Sequence, residues 1–132
     1  MSVFNRKVGL IQRVLPEYRA PFFNALGRAC PAGLEVYAGE PRADETIKTA
    51  SSLETAQLTP GKNLHLLTGN LYLCVQRGLL RWLRQINPQV LIVEANPRYL
   101  RTSTVLHWMR KRGRPVIGWG LGAPALAGSL AK

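Results

Sequence analysis

Short uninterrupted apolar runs in this chain alternate with longer stretches whose apolar residues recur every three or four positions. Runs of four or five residues bounded by charge, proline or glycine read as strands buried on both faces, as in a parallel sheet. Five are present, at residues 8–12, 34–38, 64–67, 90–93 and 115–119, the fourth being the cleanest, Val90-Leu91-Ile92-Val93 between Pro88 and Glu94. Helical spacing marks three further stretches. Residues 21–29 place Phe22, Phe23 and Leu26 on one side and stop at Pro31. Residues 71–86 repeat Val75, Leu79, Leu83 and Ile86 before Asn87-Pro88. Residues 102–112 open on a Thr-Ser-Thr run suited to N-capping and end on Arg110-Lys111-Arg112 before Gly113.

Residues 40–62 have no period, contain Pro41, Pro60 and Gly61, and read as a long irregular surface excursion. The alternation of strands and helices predicts one α/β domain over residues 1–132, a Rossmann-like doubly wound parallel sheet with strand order 3-2-1-4-5. In such a sheet ligands bind beyond the carboxyl ends of the strands, where the order reverses. That places two loops face to face: residues 13–19 after the first strand, and residues 94–99 after the fourth. Each carries one acid, one tyrosine and at least one arginine, the strongest sequence sign of a binding site.

Composition narrows the function classes. At 46% hydrophobic and 19% charged residues the chain is globular, and no apolar run approaches the roughly 20 residues of a membrane span. The start of the chain lacks the apolar core of a secretory signal, so the expected location is the cytosol. Cys30 and Cys74 form no C-x-x-C pair and read as small buried hydrophobes. The net charge of +11, from 18 Lys+Arg against 7 Asp+Glu, favours an anionic partner. The helix macrodipole accounts for part of the cluster at residues 110–112 without any ligand.

Several chemistries lack their residues. The turn Gln12-Arg13-Val14-Leu15-Pro16 has no glycine, which argues against ordinary NAD or FAD binding, and no Walker-type phosphate loop occurs. No cofactor is expected. Gly118-Trp119-Gly120-Leu121-Gly122 suits close backbone approach better than phosphate binding. His65 and His107 are too few for a metal cluster, so no metal is expected either. Glu94, a carboxylate ending an apolar strand, requires a hydrogen-bonding reason to be there. It is the one candidate catalytic group, against the alternative that it pairs with Arg13 or Arg19 or caps a loop.

The segments 11–23 (Ile11-Gln12-Arg13 through Pro21-Phe22-Phe23) and 115–122, with 89–96 between them, resemble the family 4-like N-terminal domain of GT-B glycosyltransferases. The resemblance implies a domain that receives a glycan or lipid-linked, cell-envelope acceptor, while a second Rossmann-like domain binds the nucleotide-sugar. That donor-binding half has no counterpart in this sequence. The expectation is therefore a domain inactive alone and completed by a C-terminal domain or a partner chain.

On this reading Pro16, Glu17, Tyr18 and Arg19 shape one lip of the acceptor cleft and Glu94, Asn96 and Arg98 the other, over a floor of Trp119 and Gly120. Glu17, Glu94 and Asn96 would bond sugar hydroxyls; Arg19 or Arg98 would pair with phosphate. Two non-enzymatic rivals follow from charge. A nucleic-acid-binding module is disfavoured by the scatter of arginines and the lack of a reader motif. A peripheral membrane module would use Arg77, Arg81 and Arg84, stacked on one face of the second helix with Tyr72 and Trp82 nearby, on an anionic surface.

Overall fold

The computed structural model describes residues 5–67 and 69–120. Seven strands form in chain order: β1 (Val8–Val14), β2 (Leu34–Gly39), β3 (Gln57–Pro60), β4 (Lys62–Leu66), β5 (Leu73–Arg77), β6 (Val90–Glu94) and β7 (Val116–Trp119). The helices are α1 (Ala20–Arg28), α2 (Leu79–Ile86) and α3 (Thr102–Lys111). The protein is α/β: a five-stranded parallel sheet of order β3-β2-β1-β6-β7, consistent with a Rossmann-like fold, and a separate antiparallel hairpin β4-β5.

β1 is central and almost wholly buried, because it has a helical layer on each side. Val8 and Leu10 pack with Leu34, Val36 and Phe23 of α1. Ile11 packs on the other face with Leu91, Val93 and the α2–α3 residues Leu79, Leu83, Val105 and Met109. Gly9 is what lets α2 close on the sheet, since a Cβ there would lie 3.0 Å from Ile86 Cδ1 and 3.1 Å from Leu91 Cδ1. α2 ends on Asn87 in the left-handed region, φ 48°, before Pro88. α3 closes in a Schellman arrangement: Gly113 has φ 66° and the Arg114 N–H donates to the Met109 carbonyl.

The structure corrects three sequence expectations. The third strand of the sheet is Gln57–Pro60, from within the supposed irregular excursion; residues 62–66 instead pair with β5. The helix expected over 71–86 begins only at Leu79, because residues 73–77 are strand and Gly78 turns at φ 72°. Arg77 is therefore not on one helical face with Arg81 and Arg84. The Thr-Ser-Thr run lies inside α3, whose N-cap is Arg101 without a side-chain cap.

Residues 40–56 are tied down. Glu17 N–H donates to the Lys48 carbonyl, Ala50 N–H to the Leu15 carbonyl, and Asn24 Oδ1 accepts from Glu54 N–H at 2.8 Å. The hairpin is held to the sheet by side chains: Asn63 Nδ2 donates to the Arg13 carbonyl, Gln76 Nε2 to the Gln12 carbonyl, and Tyr37 Oη to the Arg77 carbonyl. Among the described residues no helix is long and apolar enough to cross a membrane.

Candidate functional site

Parallel pairing brings the carboxyl ends of β1, β6 and β7 to one edge of the sheet. On the α1 side of that edge lies a cleft of about 370 Å³, lined by Gln12, Arg19, Phe22, Glu94, Trp119 and Gly120. Period-two alternation accounts for the side: Gln12 follows Val8 and Leu10, and Glu94 follows Ile92, on the α1 face. The Phe22 and Trp119 rings stack with centroids 5.9 Å apart and planes 20° apart, and Phe23 meets Trp119 edge-on at 6.2 Å. Phe22 is half exposed at 53%, although it sits on a helix that otherwise packs on the sheet. The cleft thus combines an aromatic wall with a carboxylate, an amide and a guanidinium.

Glu94 is anchored as well as exposed to the cleft. Its Oε1 accepts the Arg13 backbone N–H at 2.6 Å, and its Oε2 accepts from Tyr99 Oη at 3.4 Å. Burial pushes its carboxyl above the ordinary range, while the Arg13 N–H, the Arg13 charge, Tyr99 and Arg19 pull the other way. A carboxyl so placed presents a hydrogen-bonding group within a partly dry pocket, the setting in which proton exchange with a bound hydroxyl is feasible.

Behind Glu94, under the hairpin, lies a polar cluster. Arg13 grips Glu45 with both guanidinium nitrogens, at 2.9 and 2.8 Å, and Glu45 also accepts the Arg42 N–H at 2.7 Å. The Arg13 hydrogen bond holds the Glu45 carboxyl down to about 2. Arg42 lies 4.6 Å from the Tyr72 ring centroid, and Tyr72 Oη is 2.6 Å from His65 Nδ1. Burial pushes the Tyr72 and Tyr99 phenols up to about 12, so both stay neutral. Most of the polar groups in this cluster are spent on one another. It braces the hairpin over the sheet edge and leaves the α1 side as the open one.

Of the residues expected from sequence, Arg19, Glu94, Trp119 and Gly120 meet in the cleft. Pro16, Glu17 and Tyr18 stand at the same edge but do not line it. Pro16 is buried in a bridge to Thr49, and Tyr18 is 75% exposed. Asn96 and Arg98 are occupied locally: Asn96 Oδ1 accepts the Arg98 N–H, and the Arg98 guanidinium donates to the Asn70 and Tyr72 carbonyls, both at 2.9 Å. Leu121 and Gly122 of the glycine-spaced segment lie outside the described residues. Sequence reasoning missed Gln12 and Phe22 as cleft residues. The available signal was a lone glutamine at the end of an apolar strand, and an aromatic pair where one ring satisfies the core.

No family model, curated protein or solved structure gives a significant match to this chain. The resemblance to the glycosyltransferase domain accordingly rests on the residues of this chain. Among the described residues no group of three or more His, Cys, Asp and Glu side chains is disposed to hold a metal ion.

Proposed function

We propose that the chain is the acceptor-binding part of a glycosyltransferase with a GT-B arrangement, receiving a glycan or lipid-linked sugar in the cleft between α1 and the ends of β1, β6 and β7. The single observation that carries this reading is the composition of that cleft: the stacked Phe22–Trp119 wall opposite Gln12, Glu94 and Arg19. A sugar ring offers an apolar C–H face for aromatic contact and a rim of hydroxyls for a carboxylate and an amide. In this reading Glu94 accepts a hydroxyl proton or hydrogen bond, Gln12 orients a second hydroxyl, and Arg19 pairs with an anionic substituent such as a lipid phosphate. The sugar nucleotide is assigned to a second domain or a partner chain.

The test is saturation-transfer NMR of the chain with methyl glycosides of glucose, mannose and N-acetylglucosamine. Transfer to ring C–H protons is expected, reduced by Phe22→Ala, which removes a half-exposed ring of the wall, and by Glu94→Gln, which keeps the shape of the group that meets the hydroxyls. Absence of transfer to all three sugars, or transfer unaffected by either variant, overturns the assignment.

A further inference from the structure

The charge of this protein is not spread evenly along the chain. Residues 1–54 hold seven of the 18 basic residues and six of the 7 acidic ones; residues 55–132 hold eleven basic residues and one acid, Glu94. Nearly the whole excess thus belongs to the half that builds the hairpin, α2 and α3. Glu94 lines the cleft on the α1 side, so it does not neutralise the α2–α3 face.

Between α2 and α3 runs a groove enclosing about 500 Å³. Leu80 and Arg84 line it from α2, one turn apart, and Thr104, His107, Trp108 and Lys111 from α3, at the spacing of one helical face. Arg112 closes the end, its guanidinium 3.8 Å from the Trp108 ring centroid and donating to the Trp108 carbonyl at 3.0 Å. Arg84, Lys111 and Arg112 have no carboxylate within ion-pair distance among the described residues. Trp108 Nε1, on the same wall, is buried without an acceptor among the described residues.

The bland account of these cations is that they offset helix dipoles. Arg84 is in the last turn of α2 and Lys111 in that of α3. Each helix end carries roughly half a negative charge, so two ends answer about one of the three fixed positive charges. An excess of about two remains in one concave place.

We propose that this groove binds the phosphate or diphosphate group of a soluble molecule. Arg84 and Lys111 supply opposed cationic donors from two helices, Arg112 a third, and the Thr104 hydroxyl a neutral one. Among the described residues the large exposed apolar side chains (Tyr18, Phe22, Leu64, Leu67, Leu71, Leu100 and Ile117) all belong to other elements, so α2 and α3 themselves present none to a bilayer. Its one exposed ring among the described residues is the His107 imidazole, with no exposed Phe, Tyr or Trp to extend a stacking platform for nucleic-acid bases. The groove faces away from the α1 side and does not depend on the sugar-binding reading.

The experiment is calorimetric titration with sodium pyrophosphate at low and at physiological salt. Alongside it run flotation with phosphatidylglycerol vesicles and binding to a single-stranded DNA oligonucleotide. The chain is expected to bind pyrophosphate, more weakly as salt rises. The double variant Arg84→Ala/Lys111→Ala should lose about tenfold or more in affinity, because both cations contact the anion directly. Arg28→Ala, an exposed cation at the end of α1, should stay within roughly twofold of the parent. Both substituted positions in the double variant are solvent-exposed, and unchanged circular dichroism verifies the fold. Three results overturn the proposal: no binding of pyrophosphate, an equal loss in Arg28→Ala, or binding to vesicles or DNA with which pyrophosphate does not compete.

Discussion

Replacing Glu45 by Gln removes one charge from the pair that braces the hairpin and keeps the shape of the side chain. In the folded protein the carboxyl lies at about 2, against an ordinary 4.5, chiefly through its hydrogen bond from Arg13. Each tenfold change in proton affinity corresponds to about 1.4 kcal/mol, so the charged state favours folding by about 3 kcal/mol. Both side chains are 15–16% exposed, so solvent screens the pair far less than at an open surface. The folded carboxyl holds its proton less tightly than the unfolded one. The contribution is therefore complete above pH 4.5 and disappears as pH falls towards 2. Urea denaturation of the parent and Glu45→Gln at pH 7, 4 and 2.5 measures this directly. The difference should be about 3 kcal/mol at neutral pH and shrink at each step down. Glu94, raised by burial, pulls the opposite way with pH, but it is common to both proteins and cancels in the difference. A gap that is constant with pH, or below about 1 kcal/mol at pH 7, would refute the view of a desolvated pair.

Three other outcomes follow from packing. Leu83→Ala, fully buried between α2 and the sheet, should cost about 3 kcal/mol in the same denaturation assay; a loss under about 1 kcal/mol would contradict the placement of α2. Gly61→Ala would drive a methyl into the Tyr37 ring and should lower stability by about 2 kcal/mol, whereas Gly118→Ala, with its nearest contact at 3.6 Å, should not suffer from crowding. Cys30 and Cys74 are buried and burial pushes both thiols up, so a thiol reagent at pH 8 should label the unfolded chain fully and the native one slowly. Rapid labelling of the native protein would place one of them at the surface.

The legible parts of the fold are those whose burial is set by the chain's own pattern. β1, β2 and β6 are apolar on both faces, and residues 8–12, 34–38 and 90–93 carry that signal unaided. β3 has none: Gln57–Pro60 is an edge strand, partly exposed throughout, and is a strand because β2 offers it hydrogen bonds. Residues 71–77 satisfy helical spacing at 71 and 75, and equally a strand's alternation at 71, 73 and 75. Gly78, with its positive φ, breaks the tie in three dimensions. At the site, Arg19, Glu94 and Trp119 could be brought together on topology because parallel strands deliver their carboxyl ends to one edge. Asn96 and Arg98 belong to the same loop as Glu94, but local hydrogen bonds to backbone claim them, and sequence spacing does not report such bonds.

The place of β1 has a consequence for biosynthesis. β1 is made before both strands it pairs with, and one of these flanking partners arrives 82 residues later, where Val8 meets Val90. Until then Val8, Leu10 and Ile11 present an apolar ribbon with one flank unpaired, the kind of surface that attracts chaperones or other nascent chains. Closing so distant a contact carries the entropy of a long loop, so maturation of the centre waits on synthesis of β6 and proceeds more slowly than the local helices around it. A strand made before its partners is thus among the last parts of the sheet to be enclosed.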